Sequence, residues 1–269
     1  MIASLGLFVG LILGLTGAGG AILAVPLLIF ALNWDVARSA PVALVAVAAS
    51  AGLGALLGLR QGCVRYRAAT VMAVTGALVT PAGLWLARRL PVAPLALIFS
   101  AVLLYVAWRM YRQTRPLAPV DPIARPVRVA PCQISHATGR FTWTAPCARA
   151  LALSGLATGF LSGLLGVGGG FVIVPALRHA TDLPMHSIVA TSLMVVALVS
   201  SFAVAASALT GHFDYAVAWP FAGGALAGML LGRVIAPKIA GPKLQQGFAA
   251  LSAVVAFGLI GKTLLVFHW

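Results

Sequence analysis

The chain has 269 residues, of which 61% are hydrophobic and only 8% charged. Soluble domains carry roughly 25% charged residues, so a water-facing globular fold is excluded. The charge is lopsided: 18 Lys and Arg stand against four acids (Asp35, Asp121, Asp182 and Asp214), a net +14. Such an excess can mark a nucleic-acid partner. Here the basic residues stand at the ends of long apolar runs instead of on one face, which points to a multi-pass membrane protein with an Arg-rich cytoplasmic side.

The N-terminus, Met1-Ile2-Ala3-Ser4, has no basic region ahead of its apolar stretch, so that stretch reads as mature membrane sequence and not as a cleaved signal. The first half holds four apolar stretches, at about 2–32, 36–59, 66–87 and 92–110. The last three suit single spanning helices of about 20 residues. The first is interrupted at Gly17-Ala18-Gly19-Gly20. Its flanks are roughly a dozen residues each, about half a bilayer at ~1.5 Å per residue. Residues 112–149 then carry six prolines and six arginines and no periodic segment, and read as a solvated linker. Four more apolar stretches follow, at about 151–180, 185–209, 215–236 and 243–266; the first of these breaks at Gly166-Val167-Gly168-Gly169-Gly170.

A shift of 149 residues superimposes the two halves without a gap. Gly6, Gly10, Gly14, Gly17, Gly19 and Gly20 fall on Gly155, Gly159, Gly163, Gly166, Gly168 and Gly169. Pro26 falls on Pro175 and Tyr66 on Tyr215. The chain is an internal duplication, with a first transmembrane repeat at 1–111, the linker at 112–149 and a second repeat at 150–269.

Each interrupted stretch can cross the membrane once as a broken helix, or enter and return as a re-entrant hairpin. Charge discriminates. With re-entrant stretches, only Arg38, Arg88, Arg89 and Lys262 fall on one side, and the other 14 basic residues share the opposite side. With crossing stretches the division is 11 to 7. The positive-inside rule favours the sharper asymmetry. Three spans plus a hairpin also make the repeats inverted, a common transporter plan. The expected fold is therefore an all-α polytopic protein of two homologous, inverted repeats. Each repeat is a glycine-broken, re-entrant helix pair plus three transmembrane helices.

The glycine clusters are the most specific local signal. Consecutive glycines do not remain helical, and non-helical backbone at membrane depth is tolerated only inside protein or beside a wet cavity. A half-helix starts after each cluster, so its free N–H groups and positive dipole end make an anion site without a charged side chain. Candidate substrate-binding residues are Gly17, Gly19, Gly20, Gly166, Gly168, Gly169 and Gly170. The alternative is close helix packing, the role expected for Gly6/Gly10/Gly14 and Gly224/Gly228/Gly232 as small-residue faces. Pro26 and Pro175 are expected to kink the half-helices. No Gly-Lys-Ser/Thr follows either cluster, which excludes a nucleotide loop. Cys63, Cys132 and Cys147 show neither a disulfide framework nor zinc spacing and are read as ordinary thiols. No cofactor, metal or enzymatic activity is expected.

The run Gly159-Phe160-Leu161-Ser162-Gly163-Leu164-Leu165-Gly166-Val167-Gly168-Gly169-Gly170-Phe171-Val172-Ile173-Val174-Pro175 resembles the glycine-rich signature of the TauE/SafE sulfite-exporter-like family, also called the toluenesulfonate uptake permeases. Ala190-Thr191-Ser192-Leu193 resembles that family's next helix. The resemblance spans both repeats. It implies a secondary carrier of small sulfur-containing anions, such as sulfite or organosulfonates, in the bacterial inner membrane. The first repeat departs, with Gly19-Gly20-Ala21 at the cluster and Val42-Ala43-Leu44 opposite Thr191-Ser192-Leu193, so hydroxyl ligation would rest on the second. Thr191 and Ser192 either donate to substrate or bond back to their own helix. Asp182 and His186 are candidates for proton coupling, against an ordinary interfacial role, and Arg233 is expected to snorkel to the headgroups. The expected partners are the lipid bilayer, a small anion and a proton or other coupling ion, with no nucleic acid. A passive anion channel and a non-transporting assembly protein are the competing classes.

Overall fold

The structure, a computed structural model, describes residues 1–17, 20–114, 132, 144–181, 183–208, 214–236 and 241–267; at 113–114, 241–245, 248 and 264–267 it describes the backbone alone. These residues form ten helices and no strand beyond one isolated bridge. The first repeat supplies α1 (Ile2–Thr16), α2 (Ala21–Leu32), α3 (Val36–Arg60), α4 (Tyr66–Arg89) and α5 (Val92–Thr114). The second supplies α6 (Ala145–Leu165), α7 (Gly170–Ala180), α8 (Met185–Ala208), α9 (Tyr215–Ile235) and α10 (Gly241–Phe267). Among the described residues α3, α4, α5, α6, α8 and α9 are long and apolar enough to span a membrane.

The helix breaks fall where the glycines predict, but the limbs are unequal. α1 has 15 residues and α6 has 21, against 12 and 11 in α2 and α7. α6 is longer than expected because it starts inside the linker. The Thr144 hydroxyl accepts from the Cys147 amide at 3.3 Å, and Pro146 occupies the first turn, where its missing N–H costs nothing. α1 and α6 end alike, on Gly17 (φ 83°) and Gly166 (φ 70°). Their amides close onto the carbonyls of Leu13 and Ser162. Glycine suits these caps because the left-handed backbone clashes with a Cβ.

The repeats exchange helices. Gly6 and Gly10 of α1 lie against the backbone of Phe221 and Ala225 in α9, and Gly224 and Gly228 of α9 lie against Ala3 and Leu7 of α1. The two expected small-residue faces are thus partners of each other, in a parallel pair. The same contact recurs one repeat on: Gly155, Gly159 and Gly163 of α6 meet Met72, Gly76 and Thr80 of α4. With no Cβ between them, the backbones approach closely enough for dense van der Waals packing, the main attraction available to helices in lipid. α3 crosses its own equivalent, α8, in antiparallel fashion, with Gly54 beside Leu193 and Gly58 beside Ala190. α5 and α10 also pack together.

The chain returns after each break. α1 begins beside Phe221 near the start of α9, and α2 leads into α3, whose Arg38 pairs at 2.6 Å with Asp214 just before α9. Both limbs of the first pair therefore open onto one end of the bundle. The outer surface is apolar, with Leu78 74% and Val254 69% exposed. Trp85 and Trp108 stand near helix ends, with Arg89 and Arg112 over their rings, as interfacial anchors do.

Two expectations are corrected. Cys132 and Cys147 are not free thiols but a disulfide, with Cα atoms 4.9 Å apart. The Cys132 amide donates to the Ala180 carbonyl at the end of α7, which holds it against the first turn of α6. A separation of 15 residues carries no such signal. Arg233 does not snorkel: it donates to the Gly54 carbonyl at 2.7 Å and to Gln61 Oε1 at 2.9 Å, tying α9 to α3. Cys63 is a free thiol.

Candidate functional site

The two glycine turns lie on either side of the α3–α8 crossing. Gly17 abuts Val189 near the start of α8, whereas Gly166 abuts Ala40 near the start of α3. Because α3 and α8 are antiparallel, these are opposite ends of the crossing. The turns do not share one pocket, although the half-helices behind them, α2 and α7, touch.

The second turn reaches inward. Gly168 (φ 71°) touches Val47 of α3 together with Val196 and Ser200 of α8, and a Cβ there would lie 2.6 Å from Ser200 Oγ. Gly169 (φ 66°) backs onto Thr158 of α6. Residues 166–170 are all buried. Among the described residues, nothing accepts a hydrogen bond from the amides of Gly168, Gly169 or Gly170. Three buried donors at the positive end of α7 are thus without an acceptor there, the arrangement that favours an anion.

The first turn is built differently. Gly20 has an ordinary helical φ of −58°. Its amide donates to the Thr16 hydroxyl at 3.2 Å, and that hydroxyl donates to the Ile12 carbonyl. Gly19 and Asp182 lie outside the described residues. Thr191 Oγ1 accepts from the Arg65 amide at 3.1 Å, and Ser192 Oγ donates to the Val189 carbonyl at 2.8 Å. Both hydroxyls thus hold local structure, and a ligand would compete with those bonds. His186 is exposed in the first turn of α8, apart from the turns. A cavity of about 410 Å³ between Trp34, Val92 and Lys262 is likewise away from them.

The sequence reading passed over the buried hydroxyls. Most Ser and Thr in these helices bond back to a carbonyl one turn earlier, as Thr75, Thr80, Ser100 and Ser154 do. Thr158, Ser162 and Ser200, like Ser39, Ser50 and Ser252 elsewhere, are fully buried with no partner among the described residues. Each orphaned buried hydroxyl costs about 1–3 kcal/mol, so three beside one turn call for an explanation. A signal was available in the self-alignment, where Thr158, Ser162 and Ser200 replace Val9, Leu13 and Ala51.

An all-helical bundle with an apolar girdle and buried glycine turns defines a multi-pass membrane protein, and its helical spans place it in the inner membrane, since outer-membrane spans are barrels. The chain belongs to the sulfite exporter TauE/SafE family of membrane transporters, whose pattern matches residues 2–259. It is 31% identical over 258 residues to a "Probable membrane transporter protein" of Xylella fastidiosa strain 9a5c, covering 95% of this chain and 92% of that one. A protein of the same name from strain Temecula1 is 30% identical over 260 residues, with the same coverage. "Probable membrane transporter protein YunE" of Bacillus subtilis is 36% identical over 81 residues, 30% of each chain. No solved structure matches.

Proposed function

We propose that the protein is a secondary carrier of small sulfur-containing oxyanions, sulfite or organosulfonates, with a binding site dominated by backbone amides at the glycine turns. The observation that carries this reading is the buried turn at Gly166–Gly170, whose free amides stand at the positive end of α7 inside an apolar bundle. The family to which the chain belongs supports the substrate class.

The repeats are inverted and their first helix pairs re-entrant. The antiparallel crossing of α3 with α8, its own equivalent, supports the inversion. The return of α2 to the end where α1 begins supports the hairpin. Transport then follows from one repeat rocking against the other about the α3–α8 crossing, exposing the turns to each side in alternation. The exchange of α1 and α6 between repeats couples each turn to the opposite repeat.

Proteoliposomes test the reading. A carrier gives saturable sulfite uptake that organosulfonates inhibit competitively. Flux that never saturates identifies a channel, and absence of flux for both anions refutes the carrier.

A further inference from the structure

The pseudo-symmetry of the chain breaks at the place where a ligand would sit. Around the second turn are Ser200, whose Oγ is the atom nearest to a Cβ placed on Gly168, and Thr158, which packs on Gly169. Both are fully buried, and neither hydroxyl has a partner among the described residues. By the sequence shift the counterparts of Ser200 and Thr158 are Ala51 and Val9, while the Thr16 hydroxyl, which caps Gly20, has apolar Leu165 as its counterpart. The Gly20 amide is capped by its own Thr16, whereas at the second turn the Ser200 hydroxyl and the amides of Gly168–Gly170 have no partner among the described residues.

We infer that the protein holds a single oxyanion per chain, at the α7 turn, with Ser200 donating to its oxygens beside the amides of Gly168–Gly170, and that the α2 turn is structural. This rests on the carrier reading above and narrows it. The atoms nearest a Cβ placed on Gly166, Gly168 or Gly169 belong to Ala40, Val47, Thr158, Val196 and Ser200, none of them cationic. Neutral donors in a buried site offset one negative charge far better than two, because the cost of burying an ion rises with the square of its charge. The ligand is therefore a monoanion, a sulfonate or hydrogen sulfite, and a dianion such as sulfate is rejected.

The test uses the purified full chain, with methanesulfonate and sulfate as probes, read by thermal shift and by proteoliposome uptake. Methanesulfonate should raise the melting temperature of the wild type and sulfate should not. Ser200→Ala should weaken methanesulfonate binding at least tenfold, whereas Thr16→Val should change it less than twofold. Without ligand, Ser200→Ala should melt no lower than the wild type, since it removes a hydroxyl that has no partner. A purely structural serine would give the opposite: a lower melting temperature with affinity unchanged. Wild-type uptake with unaltered affinity in Ser200→Ala overturns the site and leaves the carrier standing. Loss of affinity in Thr16→Val, or sulfate binding as tightly as methanesulfonate, overturns the asymmetry or the charge preference. Wild-type protein that neither binds nor moves methanesulfonate or sulfite overturns site and carrier together.

Discussion

At the scale of residues, glycine does two separate jobs that sequence spacing distinguishes. Glycines four apart on one helix pack backbones, whereas the clusters at 17–20 and 166–170 break helices, and both roles were legible because each follows from the missing Cβ. Gly168 shows the second role: its φ of 71° and its contact with Ser200 leave no room for a side chain. Gly168→Ala should destabilise the protein by about 1–2 kcal/mol from the left-handed backbone alone, read as a lower melting temperature in detergent. An unchanged melting temperature would mean that the turn is not left-handed. What stayed illegible were the partners. Arg233 found the Gly54 carbonyl instead of headgroups, and Cys132 found Cys147, because long-range contacts of this kind depend on how helices cross and leave no local trace.

At the scale of elements, the boundaries of the eight apolar stretches were readable from hydrophobic runs, and the two breaks from glycine. The limb lengths were not. α6 gained its first turn from residues that composition assigned to the linker, where a Thr cap and a Pro in the first turn start a helix without any apolar pattern. The pairing of α1 with α9 was not readable either, although both small-residue faces were. It gives a sharp test from adjacent residues. A Cβ on Gly224 would overlap the Ala3 carbonyl, whereas Gly223 faces open space. Gly224→Ala should cost about 1–3 kcal/mol through overpacking. Gly223→Ala should be neutral or stabilising by about 0.5–1 kcal/mol, because alanine is the better helix former. Equal melting temperatures for the two variants would contradict the parallel α1–α9 pair.

At the scale of the whole molecule, charge orients the protein. In the proposed hairpin topology the 14 basic residues on one face include those of the linker, and the positive-inside rule then puts Cys132 and Cys147 in the cytoplasm. Cytoplasmic glutathione keeps thiols reduced. In growing cells the Cys132–Cys147 disulfide of the structure should therefore be reduced, and its thiols should be shielded from an impermeant maleimide outside and labelled once the membrane is permeabilised. A disulfide in untreated cells, with linker probes labelled from outside, would reverse the orientation. The net charge of +14 thus sets the direction of insertion and does not mark a polyanion partner. In the proposed carrier, the potential that the anion meets within the bundle comes instead from helix ends and amides. The central claim, alternating access around a glycine turn, is tested most directly by counterflow. Proteoliposomes preloaded with unlabelled sulfite should transiently accumulate labelled sulfite with the wild type, and should lose that overshoot with Gly169→Leu at comparable reconstitution. A wild type without overshoot, or an overshoot that survives Gly169→Leu, would contradict it.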